Sequence, residues 1–445
     1  MRRLSLVSLL LGLSAFLAAC PSGEAPVGLI LDAGEERADS GRDGDAPEPR
    51  DDAAEPWRDM VLPREDVPEI PRVDLPQEFL EQEMTWTPCV LHDRDGSGTA
   101  ECADLVVPFY WDDLESETFT VHAKRLVREG STRQLFMLQG GPGSPGTATL
   151  SLAMERVFDA DPEMDVYAID HRGTGKSHEL TCPVQEAPDS LGGEEIIGDE
   201  WEACALHLET EALDAFTVSA AARDVALLIA LAGEAGKAPL VYGVSYGTFW
   251  AHRYAVLFPE QPDAVVLDSL IPPGGYQVDI KDQEENEVTH VLFDLCAGDD
   301  LCASKLGEDP WGYANEVFQA YSAGQACDKL LAKGIYPETL QGFINGLGTM
   351  LWLGRAMIPA IFYRMDRCTG QDAVAVYNAI AWYYGLDGAY WREELSDALG
   401  RHLMLSELVF EPEGGAMTPD EILAYEAGLL STRYLSYYNT IHLAF

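Results

Sequence analysis

Two glycine-rich turns, about a hundred residues apart, do most to constrain what this chain can become. They are Gln139-Gly140-Gly141-Pro142-Gly143 and Gly243-Val244-Ser245-Tyr246-Gly247. Residues 239–243 read as a strand running into the second turn, and residues 248–258 as a helix leaving it. A G-x-S-x-G sequence in that context is a sharp turn that lifts a serine hydroxyl above the end of a sheet. Larger side chains in place of the flanking glycines would collide with the strand and the helix. The first turn also follows an apolar strand, residues 135–138, and in such a sheet it can supply a second backbone N–H to an oxyanion hole. Together the turns point to serine hydrolase chemistry on a parallel sheet.

The start of the chain reads as an export signal. Arg2 and Arg3 precede an apolar run over residues 4–17, too short for a membrane span and ending in small residues. Leu17-Ala18-Ala19-Cys20 resembles the lipobox of bacterial lipoproteins, with Cys20 as the lipidated new N-terminus. No aspartate follows Cys20, which favours the outer membrane within the cell envelope. Residues 21–75 are rich in Asp, Glu, Pro, Gly and Ala and hold few aromatics, so they cannot bury enough apolar surface to offset their ordering entropy. They are expected to form a disordered acidic tether. With 75 acidic against 29 basic residues the formal charge is −46, which excludes nucleic acid as a partner. Cys20 apart, the nine cysteines leave eight in an oxidising compartment. They allow on the order of a hundred pairings. Nearest-neighbour pairing is the simplest: 89–102, 182–204, 296–302 and 327–368. No C-x-x-C pair occurs, so zinc and thioredoxin-like chemistry are not expected. No other metal or cofactor is implied.

Beyond the tether the pattern changes twice. From residue 76 to 271, strands alternate with helices, the signature of an α/β domain with a mostly parallel sheet. Residues 105–111 and 118–127 read as an antiparallel pair, and residues 166–169 and 264–267 as buried strands. Residues 218–232 read as a helix on the spacing of Val218, Ala222, Val225, Leu228 and Ile229. From residue 272 to 445 the segments 284–295, 311–323, 337–353, 371–384 and 391–405 read as helices. These form a helical cap over the catalytic end of the sheet, its aromatics serving mainly as cap core.

Three motifs in order now resemble one family. Gln139-Gly140-Gly141-Pro142-Gly143 is similar to the H-G-G-P-G turn of the proline iminopeptidase and tripeptidyl aminopeptidase family of α/β-hydrolases. Asp170-His171-Arg172-Gly173-Thr174-Gly175-Lys176-Ser177 resembles its D-x-R-G-x-G-x-S turn, and Gly243 to Thr248 its G-x-S-Y-G-T elbow. The resemblance implies an α/β-hydrolase fold and an exported aminopeptidase that forms an acyl-enzyme at Ser245. The N–H groups of Gly141 and Tyr246 would form the oxyanion hole. Asp170, Arg172 and Ser177 would be structural. A peptide or a small ester would be the substrate.

The same resemblance places the triad acid and histidine after the cap, in G-x-x-D and G-H-G turns that do not occur here. The final strand–helix units of the sheet are therefore expected to be missing. Asp268 ends the strand after the elbow, where some α/β-hydrolases carry the acid. His290, His402 and His442 are the remaining candidates for a base, and no spacing ties them to Ser245. A truncated, catalytically incomplete hydrolase, a lipid-tethered binding protein and an esterase are the alternatives.

Overall fold

The structure, a computed structural model, describes residues 73–187, 190, 196, 200–209, 211–272, 278–349, 352–390, 396–408 and 428–431. The chain divides into two units, Met1–Glu69 and Ile70–Phe445. The expected signal, Cys20, almost all of the tether, and His442 lie outside the described residues.

The second unit is built on a seven-stranded sheet. Its strands are β1 (Thr87–His92), β2 (Ser97–Tyr110), β3 (Asp113–Leu126), β4 (Arg133–Leu138), β5 (Met164–Ile169), β6 (Ala238–Val244) and β7 (Ala264–Asp268). Their order is β1-β2-β3-β5-β4-β6-β7. The first three strands form an antiparallel meander that joins β5, and β5, β4, β6 and β7 run parallel. The expected pair at residues 105–111 and 118–127 is the β2–β3 hairpin. β1 was not anticipated: its sequence, TPCVLH, offers too little alternation to be read as a strand.

Period-2 alternation distributes the sheet between two cores. Phe136, Leu138, Tyr167, Ile169 and Val241 enter one cluster, and Met137, Val166 and Ala168 the other. All six residues of β5 are buried, as expected for a central strand covered on both faces. The second cluster is closed by α1 (Ser151–Ala160) through Met154. The first is closed by α2 (Glu200–Leu208), α3 (Val218–Ala232) and α4 (Tyr246–Leu257). α3 matches the helix expected from its apolar spacing. Thr217 caps it, its hydroxyl accepting from the Ala220 N–H at 3.1 Å.

The later helices are α5 (Val278–Ala297), α6 (Asp300–Leu306), α7 (Pro310–Ser322), α8 (Pro337–Thr349), α9 (Trp352–Arg367), α10 (Gly370–Tyr390) and α11 (Asp397–Leu403). Residues 337–353 were expected to form one helix and instead span two. α9 was missed because Pro359 lies inside it. Ile358, Ile361, Phe362 and Met365 are fully buried on that helix. Burying four such side chains contributes on the order of 6 kcal/mol or more, which exceeds the roughly 3 kcal/mol cost of an internal proline. α11 and the turn that follows it pack on the sheet's first core, through Ala398, Leu399, Leu403, Met404 and Leu408.

The four disulfides are Cys89–Cys102, Cys182–Cys204, Cys296–Cys302 and Cys327–Cys368, the nearest-neighbour set. They are compatible with an oxidising compartment. Among the described residues, no helix is long and apolar enough to cross a membrane, and no group of His, Cys, Asp and Glu is arranged to hold a metal.

Candidate active site

The strand order changes direction around β4. The chain leaves β4 for β5 on one side and returns to β6 on the other. In open α/β sheets, ligands bind beyond the strand C-termini at such a switch point. Leu138 of β4 pairs with Gly243 of β6, so both glycine-rich turns emerge there side by side.

The elbow is fixed by close approach of backbone to backbone. A Cβ on Gly243 would lie 2.1 Å from the Gly247 carbonyl oxygen, and one on Gly247 would lie 2.2 Å from that of Leu138. Both are far inside contact distance, so neither position admits a side chain. Between them Ser245 takes φ 55° and ψ −125°, a conformation L-residues rarely adopt, and it is exposed. Its N–H donates to the Asp268 carbonyl at 3.0 Å, tying the elbow to the end of β7. Tyr246 opens α4, where the first N–H groups have no intrahelical acceptor.

The first turn abuts the elbow. A Cβ on Gly140 would stand 2.7 Å from Ser245 Cβ and 3.2 Å from its Oγ. The Gly140 N–H is taken by the Gln139 side chain at 2.8 Å, and Gln139 Nε2 donates to Thr149 Oγ1 at 2.6 Å. Gly141 follows with φ 114° and is exposed. Among the described residues neither Gly141 N–H nor Tyr246 N–H donates a hydrogen bond. The two groups expected to form an oxyanion hole therefore lie on adjacent turns beside Ser245, with free donors.

The D-x-R-G turn braces this arrangement. Asp170 accepts from the Thr147 N–H at 2.7 Å, from Thr147 Oγ1 at 3.0 Å and from the Lys176 N–H at 3.1 Å. Ser177 Oγ donates to the Asp170 carbonyl and accepts from the His122 N–H. Arg172 is fully buried and pairs with both carboxylate oxygens of Asp224, at 2.7 and 2.6 Å. It also donates to the carbonyls of Phe109 and Ala215. Trp111 Nε1 gives Asp224 a third donor. Sequence reasoning passed over Asp224. The signal was present: a lone carboxylate on the apolar helix AAARDVALL.

The histidines divide by environment. His171 Nδ1 donates to the Arg172 carbonyl at 2.6 Å, and its Nε2 accepts from Tyr246 OH at 3.2 Å. Full burial depresses its pKa to about 3, and the ring stays neutral with both nitrogens occupied. It supports Tyr246 and has no lone pair left for proton transfer. His290 stacks on Trp311 and pairs with Asp294, with neither glycine turn among its partners. His402 lies on α11. Burial lowers its pKa, against the Leu213 carbonyl and the Asp214 charge, which raise it. Among the described residues no histidine hydrogen-bonds Ser245 Oγ. The Asp268 carboxylate accepts from Tyr242 OH at 2.7 Å and from Ser269 Oγ at 3.2 Å. Burial and that carboxylate push the Tyr242 phenol up to about 12.

Residues 135–283, from β4 past the elbow, match a family model described as the alpha/beta hydrolase fold. Tripeptidyl aminopeptidases of Streptomyces coelicolor and Streptomyces lividans are each 25% identical over 193 residues. The match covers 39% of this chain and 35% and 36% of those proteins, so the chain spans about a third of their length. Among solved structures, a probable hydrolytic enzyme from Pseudomonas aeruginosa aligns at 15% identity and a TM-score of 0.26, over 68% of this chain and 75% of that one. A thermostable carboxyl esterase from Bacillus coagulans aligns at 16% identity and a TM-score of 0.22, over 47% and 55%. Residues 135–283 carry the α/β-hydrolase fold, and the chain is similar at low identity to tripeptidyl aminopeptidases.

Proposed function

We propose that this chain is a serine hydrolase of the exported aminopeptidase type, releasing N-terminal residues or short peptides through an acyl-enzyme at Ser245. The observation that carries the reading is the strained, exposed Ser245 at φ 55°, pressed against Gly140 and flanked by two free N–H donors. Strain of this kind costs on the order of 1–3 kcal/mol and persists where the surroundings impose it.

In this mechanism Ser245 Oγ attacks the scissile carbonyl and gives up its proton to a general base. The carbonyl oxygen becomes an oxyanion facing Gly141 N–H and Tyr246 N–H. The base returns that proton to the leaving nitrogen as the tetrahedral species collapses, so the amine departs neutral and an ester is left on Ser245; water, giving its proton to the same base, then hydrolyses that ester. Acidic groups at the cleft would favour a cationic ligand such as a free peptide α-amine. Lipidation of Cys20 and a place at the outer membrane complete the reading.

The test is a fluorophosphonate probe on the mature chain, read by intact mass, with Ser245→Ala alongside. An adduct lost in Ser245→Ala supports the serine mechanism. No adduct on folded wild type overturns it in favour of a binding protein. Tripeptidyl p-nitroanilides with free and acetylated amines separate the substrate classes. Turnover confined to the free amine supports the aminopeptidase. Turnover of p-nitrophenyl acetate alone overturns it in favour of an esterase.

A further inference from the structure

The residues that hold the first glycine turn from outside come from the far end of the chain. Ser396 donates its N–H to the Gly143 carbonyl at 3.0 Å. A Cβ on Gly143 would lie 2.3 Å from the Ser396 carbonyl oxygen, and one on Gly400 would lie 2.7 Å from the Pro142 carbonyl oxygen. Two backbones therefore touch directly along Pro142–Gly143, with a glycine at the contact on each side.

That segment is itself pinned. Ser396 Oγ donates to the Leu180 carbonyl and accepts from the Leu399 N–H at 2.9 Å, capping α11. Asp397 donates its N–H to Glu186 at 2.7 Å, and its carboxylate accepts from the Ile196 N–H at 3.0 Å. Leu399 packs against Gly173 of the D-x-R-G turn. Ala398, Leu399 and Leu403 are fully buried in the core beneath the sheet's first face.

We propose that Ser396 and Gly400 are positioning residues: they set the carbonyls of Pro142 and Gly143 and thereby the direction of the Gly141 N–H. The idea rests on the oxyanion role given to Gly141 above. A carbonyl pushed by a new Cβ must rotate its peptide plane. That plane lies one residue beyond Gly141 in a turn with no slack, since Gly140 already touches Ser245. A catalytic donor misplaced by an ångström loses about a hundredfold in rate. Substrate binding elsewhere in the cleft is untouched by such a rotation, so the effect belongs in kcat.

The experiment compares Gly400→Ala with wild type and with Gly370→Ala, whose Cβ would enter open space at the start of α10. Turnover of p-nitrophenyl acetate is read as kcat and KM separately. Hydrogen exchange of the peptide covering residues 139–146 is read in the same samples. Gly400→Ala is expected to lose at least about tenfold in kcat, with KM within about twofold, and to exchange faster only in that peptide. Gly370→Ala is expected to match wild type in both. Ser396→Ala keeps the N–H but removes the Leu180 and Leu399 bonds, and serves if Gly400→Ala does not fold; the same pattern at smaller size is expected. Unchanged exchange in residues 139–146, or a loss carried by KM alone, overturns the proposal. If wild type is inert towards both ester and fluorophosphonate, the proposed function fails separately. Exchange then still decides whether this segment positions the turn.

Discussion

The two glycine-rich turns lie side by side and are held in different ways. The elbow is closed by its own neighbours: Gly243 against Gly247, Gly247 against the end of β4, and one hydrogen bond from Ser245 to the adjacent strand. The first turn depends on partners far along the chain. Thr147 just beyond it is gripped by Asp170, and Pro142 and Gly143 rest on Gly400 and Ser396. The elbow's tightest steric limits fall on glycines within one short motif, so a change at either of them damages it directly. A turn held from outside is exposed to substitutions in the D-x-R-G turn, in α3 and in α11. It can also respond to conditions that change those supports.

The largest expected effect tests the outside support. Asp224→Ala leaves the Arg172 guanidinium buried without its counter-charge, which costs about 3–5 kcal/mol. The denaturant midpoint should fall accordingly. Replacing both partners with apolar residues of similar volume should recover much of the loss, because the penalty comes from the stranded charge. Equal losses in single and double variants would show that the pair acts by shape alone.

Next is a local break. Gly247→Ala forces a Cβ to within 2.2 Å of the Leu138 carbonyl oxygen, and β4 must shift to admit it. Overpacking of this kind costs about 3 kcal/mol. Unlike Asp224→Ala, it should speed hydrogen exchange at the end of β4 and the start of α4. Exchange confined to the first turn would reverse the contrast between the two turns.

The outside support also makes a pH prediction. Burial, aided by the nearby Asp397 charge, pushes Glu186 up to about 7, against backbone N–H donors that pull it down. The unfolded carboxyl ionises near 4.5, so between those values the folded state holds the extra proton. Stability should therefore be full below about 4.5 and decline as pH rises towards 7. A loss of about 3 °C in Tm over that window is expected in wild type. Glu186→Gln should remove the part of that loss carried by Glu186 and leave the rest. A Tm that rises through the window would contradict the assignment.

What was legible in the sequence follows the same division. The elbow, the strand–helix alternation and α3 were readable because each is specified within a few turns of chain. Nearest-neighbour pairing was the simplest of the possible disulfide sets, left open by the sequence, and the structure adopts it. Burial of Asp224 could be read from its apolar helix, but its pairing with Arg172, the grip of Asp170 on Thr147 and the seat of Ser396 on Gly143 could not. Each joins residues whose separation carries no periodic signal. α9 was missed for a related reason: Pro359 is a local breaker, and tertiary burial outweighs it. α11 was taken for cap from its helical texture. Nothing in that texture reports Leu399 and Leu403 lying in the same core as Phe136 and Leu138.

The smallest effect sets local and remote support against each other at one helix end. The first turn of α3 presents orphan N–H groups, and two acceptors meet them. Thr217 Oγ1, next in sequence, takes Ala220 N–H at 3.1 Å. Glu407, beyond α11, takes Val218 N–H at 2.7 Å, and burial raises its pKa. Thr217→Ala should cost about 1 kcal/mol, as loss of a side-chain cap does. Its effect should be the same at every pH, because a hydroxyl does not titrate. Glu407→Gln keeps an acceptor for Val218 and removes only the buried charge. It should leave stability unchanged at low pH, where the carboxyl is protonated, and raise it at neutral pH, where the wild-type charge is costly. Thermal melts of both variants across pH 4 to 8 separate the two supports. A pH-dependent loss in Thr217→Ala would mean that the local cap works through Glu407, and that even this helix end is held from the far end of the chain.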